Sequence, residues 1–263
     1  MVQGRSDATG GGKIRYGMVG GGQGAFIGAV HRLAARMDDQ YELVAGALPS
    51  DPKRAIASAQ ELGLAPDRSY GSYEEMAKAE AKRPDGIEAV SIVTFWREAG
   101  PQAWFRKDPG FDARFRERFG DLHFAAARRE CDGWAATAEG SLALLLLLDQ
   151  FPRNVFRGTA HMFATDPLAR QVARQAVAAG HDRQVDESLR LFFYLPFAHS
   201  EDPADQAESL RLHHALGPEG EKHAVGHADI VRRFGRFPHR NPVLGRETTA
   251  EEADFLAAGG FAG

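Results

Sequence analysis

A chain of 263 residues, 43% hydrophobic and 26% charged, is long enough to bury one large core or two smaller ones. Acidic and basic residues nearly balance throughout, 12 against 11 up to Thr94 and 24 against 21 after it, which excludes the basic excess of a nucleic-acid binder. The single cysteine, Cys131, excludes a disulfide framework, and the longest apolar run, Leu142 to Leu148, falls far short of the roughly 20 residues that cross a bilayer.

Residues 1–12 are polar and glycine-rich with no apolar signal core, so a flexible tail and a cytoplasmic protein are expected. From Lys13 the pattern turns to strand, glycine turn, helix. Ile14 to Val19 (IRYGMV) is a short β run, and GGGQGAFIGAVHRLAARM follows it. Gly20, Gly22 and Ala25 fit G-x-G-x-x-G/A. Glycine at these places lets the backbone touch a pyrophosphate whose charge sits at a helix N-terminus. YELVAGAL is a second strand. DPKRAIASAQELG is a helix capped by Asp51 with Pro52 at its first position. SYEEMAKAEAK is a further helix with Ser72 and Glu75 spaced as a capping box. IEAVSIV, Ile87 to Val93, reads as a third, buried strand. The expectation is a βαβαβ unit, half of a Rossmann fold, over residues 13–94.

The second strand ends in Gly46, Ala47 and Leu48, where a ribose-binding acid is usual. Ser50 and Arg54 follow and would meet the extra phosphate of NADP; the alternative is a capped, solvated helix start. These residues, with MVGGGQGAFIGAVHR, ELVAGALPSDPKRA and EAVSIVT, resemble the N-terminal domain of the glucose–fructose oxidoreductase and inositol dehydrogenase family (Gfo/Idh/MocA). The resemblance implies NAD(P) binding, and in the family a later Glu-Lys-Pro lysine assists proton transfer. After Thr94 the chain has only Lys107 and Lys222, in neither case in that motif, so hydride transfer is not expected. With no fourth strand to cover it, the sheet would keep an open edge suited to self-association.

Beyond Phe95 the period becomes helical. Phe111, Phe115, Phe119 and Leu122 share a stripe, and Glu139 to Phe151 reads as a buried helix. Asp-Pro at 166–167 and at 202–203 starts helices, Gly180 stops one, and Thr249 with Glu252 boxes the last. FWREAGPQAWFRKDPGFD, LDQFPRNVFRGTAHMFATDPLA, LPFAHSEDPADQ and HADIVRRFGRFPHRNPVLGRETTAEEADFL resemble the bacterial family called domain of unknown function 924. That resemblance implies an all-α, tetratricopeptide-like domain over residues 95–263, with its first helix partly replaced by the third strand and with no assigned activity.

Within this part Asp149, Arg153, His199 and His239 are the candidate catalytic residues; Asp149, Gln150, Arg153 and Asn154 equally suit a network that fastens loops at a helix end. Arg232, Arg236 and Arg240 are candidates for a small anion, because guanidiniums converge well on phosphate or carboxylate. The alternative pairs them with acids such as Glu247. His223 and His227 are spaced i, i+4, yet no third ligand follows, so no metal is expected. The function expected is binding of a small molecule or a protein, with no nucleic acid and no membrane. An NAD(P)-dependent oxidoreductase or a helical enzyme for a small anionic substrate is the alternative.

Overall fold

The structure, a computed structural model, describes residues 14–37, 41–49, 51–80, 83 and 87–261. The chain divides into two compact units, Met1–Ala81 and Lys82–Gly263.

In the first unit β1 (Ile14–Val19), α1 (Phe26–Arg36), β2 (Tyr41–Ala47), α2 (Pro52–Glu61) and α3 (Tyr73–Glu80) follow in order. The strands pair in parallel, Ile14 with Tyr41 and Val19 with Ala47, around an irregularity between Tyr16 and Gly17. On the far side of β2 only a single bridge forms, where Tyr70 N–H donates to the Gly46 carbonyl at 2.9 Å beside Ser69. Asp51 caps α2 by accepting from the Arg54 N–H at 2.9 Å, as its sequence position predicts. The Ser72 hydroxyl accepts from Glu75 N–H, but the Glu75 carboxylate reaches Gly71 rather than Ser72, so the box is only half made. Among the described residues Leu48, Ala59 and Leu64 form one buried apolar cluster, against which Met18, Leu43 and Leu62 pack. Helix α1 leaves Phe26 and Leu33 exposed on its outer face.

The second unit holds α4 (Ile87–Ala99), α5 (Pro101–Trp104), α6 (Pro109–Ala127), α7 (Ala138–Leu145), α8 (Phe151–Val155), α9 (Asp166–Ala178), α10 (Leu195–Ala198), α11 (Pro203–His214), α12 (Pro218–Phe234) and α13 (Ala250–Ala257). The expected third strand is therefore a helix. Ala89, Ile92, Val93 and Trp96 are all fully buried, and their spacing of three and four residues is a helical stripe. A short apolar run with β-branched residues carries no period of its own; packing of α4 against α7 decides it. The βαβαβ half thus reduces to two strands among the described residues. The expected change of architecture at 94/95 falls inside α4, and the helical part has its first helix.

Aromatic packing explains the stability of this arrangement. Phe95 stacks on Phe111 and Phe115 at 5.2 and 5.3 Å between ring centres. Trp96 lies parallel to Trp104 at 6.4 Å, while the Trp104 indole N–H donates to the Trp96 carbonyl at 2.7 Å, which ties α5 back onto α4.

The expected single helix over Glu139 to Phe151 is interrupted. Leu146–Gln150 forms a π turn between α7 and α8, and Pro152 follows with no N–H to offer. Two carbonyls lose their ordinary partners there, and side chains replace them. The His123 ring Nδ1–H donates to Leu147 O at 2.9 Å, and the Thr165 hydroxyl donates to Leu148 O at 2.6 Å.

Replacing the fully buried Trp96 by alanine removes the contacts that bind α4, α5 and α6 together. Urea unfolding of the Trp96→Ala chain is expected to show the helical unit less stable by about 3–5 kcal/mol. A loss below about 1 kcal/mol would contradict this packing.

Candidate functional site

In the first unit the glycine turn forms as its motif predicts. Gly20, Gly21 and Gly24 adopt positive φ, and a Cβ on Gly28 would lie 2.4 Å from the Gly21 Cα, so α1 and the turn can touch only without it. Gly22 and Ala25 border an open cavity of about 360 Å³ with Gln23, Arg32, Ser58 and Glu61. Gly20 is committed to the sheet, its N–H donating to Ala47 O at 2.8 Å. Arg54 is exposed and stands outside that cavity, contributing its backbone N–H to the Asp51 cap. Ser50 lies outside the described residues.

The larger cavity, about 590 Å³, lies in the helical unit. Its floor is the end of the apolar helix. Asp149 is buried at the π turn, Arg153 follows one turn later, and Arg153 Nη1 lies 3.0 Å from the Asp149 carboxylate. The same guanidinium grips Asp166, at the start of α9, with two bonds of 2.8 and 3.0 Å. Gln150 donates to Asp149 at 2.6 Å, and His199 Nδ1–H donates to its other oxygen at 2.8 Å. Burial alone would raise the Asp149 pKa, but Arg153 and His199 outweigh it and hold the carboxyl at about 2. Burial lowers His199, with Arg153 adding to the effect, so its imidazole is neutral at pH 7.

Arg240 completes the wall. Its guanidinium sits between the Phe163 and Phe237 rings, 4.5 Å from each centre, and its Nη2 donates to the His199 carbonyl at 2.8 Å. Burial and the neighbouring Arg153 lower Arg240 to about 10, still cationic at neutral pH. Its Nε–H, buried with the rest of the side chain, has no hydrogen-bond partner among the described residues, and neither has His239 Nδ1. Burial, then Arg240 and His227, lower His239 to about 4.

Arg153, His199 and His239 therefore meet at one cavity, with Asp149 just behind its surface. Arg232, Arg236 and Arg240 do not converge. Arg232 pairs with Asp229 at 2.7 Å on the surface, and Arg236 pairs with Glu252 at 2.6 Å while reaching the Glu247 carbonyl. Only Arg240 faces the cavity. Sequence reasoning missed Lys107, Arg157 and His213 as cavity residues. Arg157 gave no signal because its pairing with Asp112 joins α6 to the turn after α8, a contact between distant segments. His223 and His227 both line the cavity, yet no group of three metal-binding side chains occurs among the described residues.

The family model for "Bacterial protein of unknown function (DUF924)" matches residues 92–260. The chain belongs to the DUF924 family. The solved structure of the protein of unknown function ATU0120 from Agrobacterium tumefaciens is 61% identical, with a TM-score of 0.64, and the match covers 65% of this chain and 97% of that one. The uncharacterized oxidoreductase YfiI of Bacillus subtilis is 43% identical over 82 residues, which are 31% of this chain. This chain spans only 21% of that oxidoreductase's length. An inositol dehydrogenase homolog from Azotobacter vinelandii, solved with NADH and myo-inositol, is 27% identical over 48% of this chain and 41% of that one, with a TM-score of 0.29. The described part of the DUF924 unit has no helix long and apolar enough to cross a membrane.

The lowered histidines make the DUF924 unit sensitive to acid. His227 is held at about 4, chiefly by burial, as is His239, against an ordinary value of 6.5. As the pH falls below 6.5 the unfolded chain takes up protons that the folded one refuses, so stability drops until the folded groups titrate near 4. Thermal melts followed by far-ultraviolet circular dichroism are expected to show the melting temperature falling steadily over that window. A flat profile from pH 6.5 to 4.5 would refute the assignment.

Proposed function

We propose that the DUF924 unit is a binding domain for a small anionic molecule, seated in the cavity against Arg240 and Arg153. The observation that carries this reading is the charge of the wall. Lys107, Arg153, Arg157 and Arg240 line it with five histidines, and among the described residues no carboxylate does. Asp149 and Asp166 pair with Arg153 from outside the cavity lining, where they hold its guanidinium in place. The partnerless Nε–H of Arg240 supports the same reading, since a buried donor left unsatisfied costs about 1–3 kcal/mol, and an anion would supply the acceptor. The volume suits a ligand of metabolite size.

The first unit has a separate role in this proposal. Its glycine turn, with Gly22 and Ala25 at the start of α1, suits one pyrophosphate of NAD(P). The close contact of Gly28 with Gly21 is the feature that keeps this turn tight. No hydride transfer is proposed, because Lys107 lines the helical cavity and Lys222 is an exposed residue of α12, so neither occupies a Glu-Lys-Pro motif.

Calorimetric titration with inorganic phosphate tests the main reading. The wild-type chain is expected to bind, Arg240→Met to lose at least about tenfold in affinity, and Arg232→Met, a surface ion pair, to behave as wild type. Circular dichroism confirms that each variant is folded. Equal binding by folded Arg240→Met, or no binding by wild type of either phosphate or a carboxylate such as hexanoate, refutes the assignment.

A further inference from the structure

Three imidazoles of the cavity wall share one unusual constraint. His199 Nδ1 faces the Asp149 carboxylate at 2.8 Å, His213 Nδ1 faces the Ser209 carbonyl at 2.8 Å, and His227 Nδ1 faces the His223 carbonyl at 2.8 Å. Each of these oxygens only accepts, so each ring must carry its proton on Nδ1. Every one of the three is thereby left with a bare lone pair on Nε2. None of the three Nε2 atoms has a hydrogen-bond partner among the described residues, and all three side chains line the same cavity.

Two of the rings are neighbours. His199 and His227 lie 6.3 Å apart, and His227 also packs edge-on against Phe237 and Phe261 at 5.6 and 4.7 Å. The backbone carbonyl of His199 is held by Arg240, so the acceptor group and the guanidinium are fixed to one another. A wall of arginines alone would offer only donors and would suit any anion. This wall adds three acceptors of fixed tautomer.

We infer that the ligand of this cavity is an anionic polyol, a molecule whose acidic group meets Arg153 and Arg240 while its hydroxyls donate to Nε2 of His199, His213 and His227. The inference rests on the anion-binding reading above and specifies its ligand. Burial keeps all three imidazoles neutral at pH 7, with His227 at about 4. Sugar phosphates and sugar acids share the required chemistry: an anion a few atoms from several O–H donors.

Two matched pairs separate the elements of the inference by calorimetry at pH 7. Ribose 5-phosphate is compared with pentyl phosphate, and gluconate with hexanoate. In at least one pair the hydroxylated member is expected to bind at least about tenfold more tightly, the worth of one or two hydrogen bonds. The pair that shows the gain identifies the anion as phosphate or carboxylate. The gain is expected to shrink in His227→Phe and to return in His227→Gln, whose amide oxygen restores an acceptor. Equal affinities within both pairs, or an undiminished gain in folded His227→Phe, overturn the polyol assignment. If inorganic phosphate still binds in that case, the anion site stands alone; if no probe binds, both readings fall.

Discussion

Two negative charges sit at the end of the most apolar helix in the molecule, and the helical unit is organised around keeping them paired. Asp149 and Asp166 are both buried, and an isolated carboxylate there would cost several kcal/mol. Arg153 answers both at once, because its planar fork presents two parallel donors to Asp166 while one nitrogen also reaches Asp149. The pairing welds three distant pieces of chain: the π turn, the start of α9, and, through His199, the residues that precede α11. Such a network is stable only when every member is satisfied. Gln150 takes one Asp149 oxygen, while His199 and Arg153 take the other, so both oxygens of the buried carboxylate are partnered.

That arrangement has a consequence for chemistry. Carboxylates hidden behind guanidiniums fix the position of the positive groups without cancelling them at the surface of the cavity. The Arg240 guanidinium is then held against the Phe163 and Phe237 rings and bonded to the His199 carbonyl, so little freedom remains for it to lose on binding. Preorganised donors of this kind suit the small anion proposed above. The π turn matters here as well, since it inserts a residue just before Arg153 and re-aims the helix end toward the cavity. The carbonyls it frees are repaired by His123 and Thr165, which is why so irregular a backbone can lie in the core.

The first unit follows a different logic. Among the described residues its buried apolar side chains are mostly alanines, its sheet has two strands, and α1 leaves Phe26 and Leu33 exposed. The local glycine geometry is nonetheless complete, because it depends on backbone conformation and on close approach rather than on a large core. A tight glycine turn and a well-buried domain are separable properties, because the first needs only backbone conformation and close approach.

The residue pattern by itself determined whatever depends on neighbours a few positions away. The Asp51 and Thr249 caps, the Gly180 stop, the glycine turn and the α6 stripe of Phe111, Phe115 and Phe119 all form as read, because each is a local hydrogen bond, dihedral or helical period. The network-forming character of Asp149 and Arg153 was also legible, since charged residues beside an apolar run need buried partners. Tertiary structure alone decided that Ile87 to Val93 is helical, for a run apolar on every side has no period until a partner covers one face. It likewise separated Arg240 from Arg232 and Arg236, which are close in sequence but end in different surroundings. Whether an arginine meets an acid or a cavity depends on chain segments dozens of residues away, and no local pattern encodes that distance.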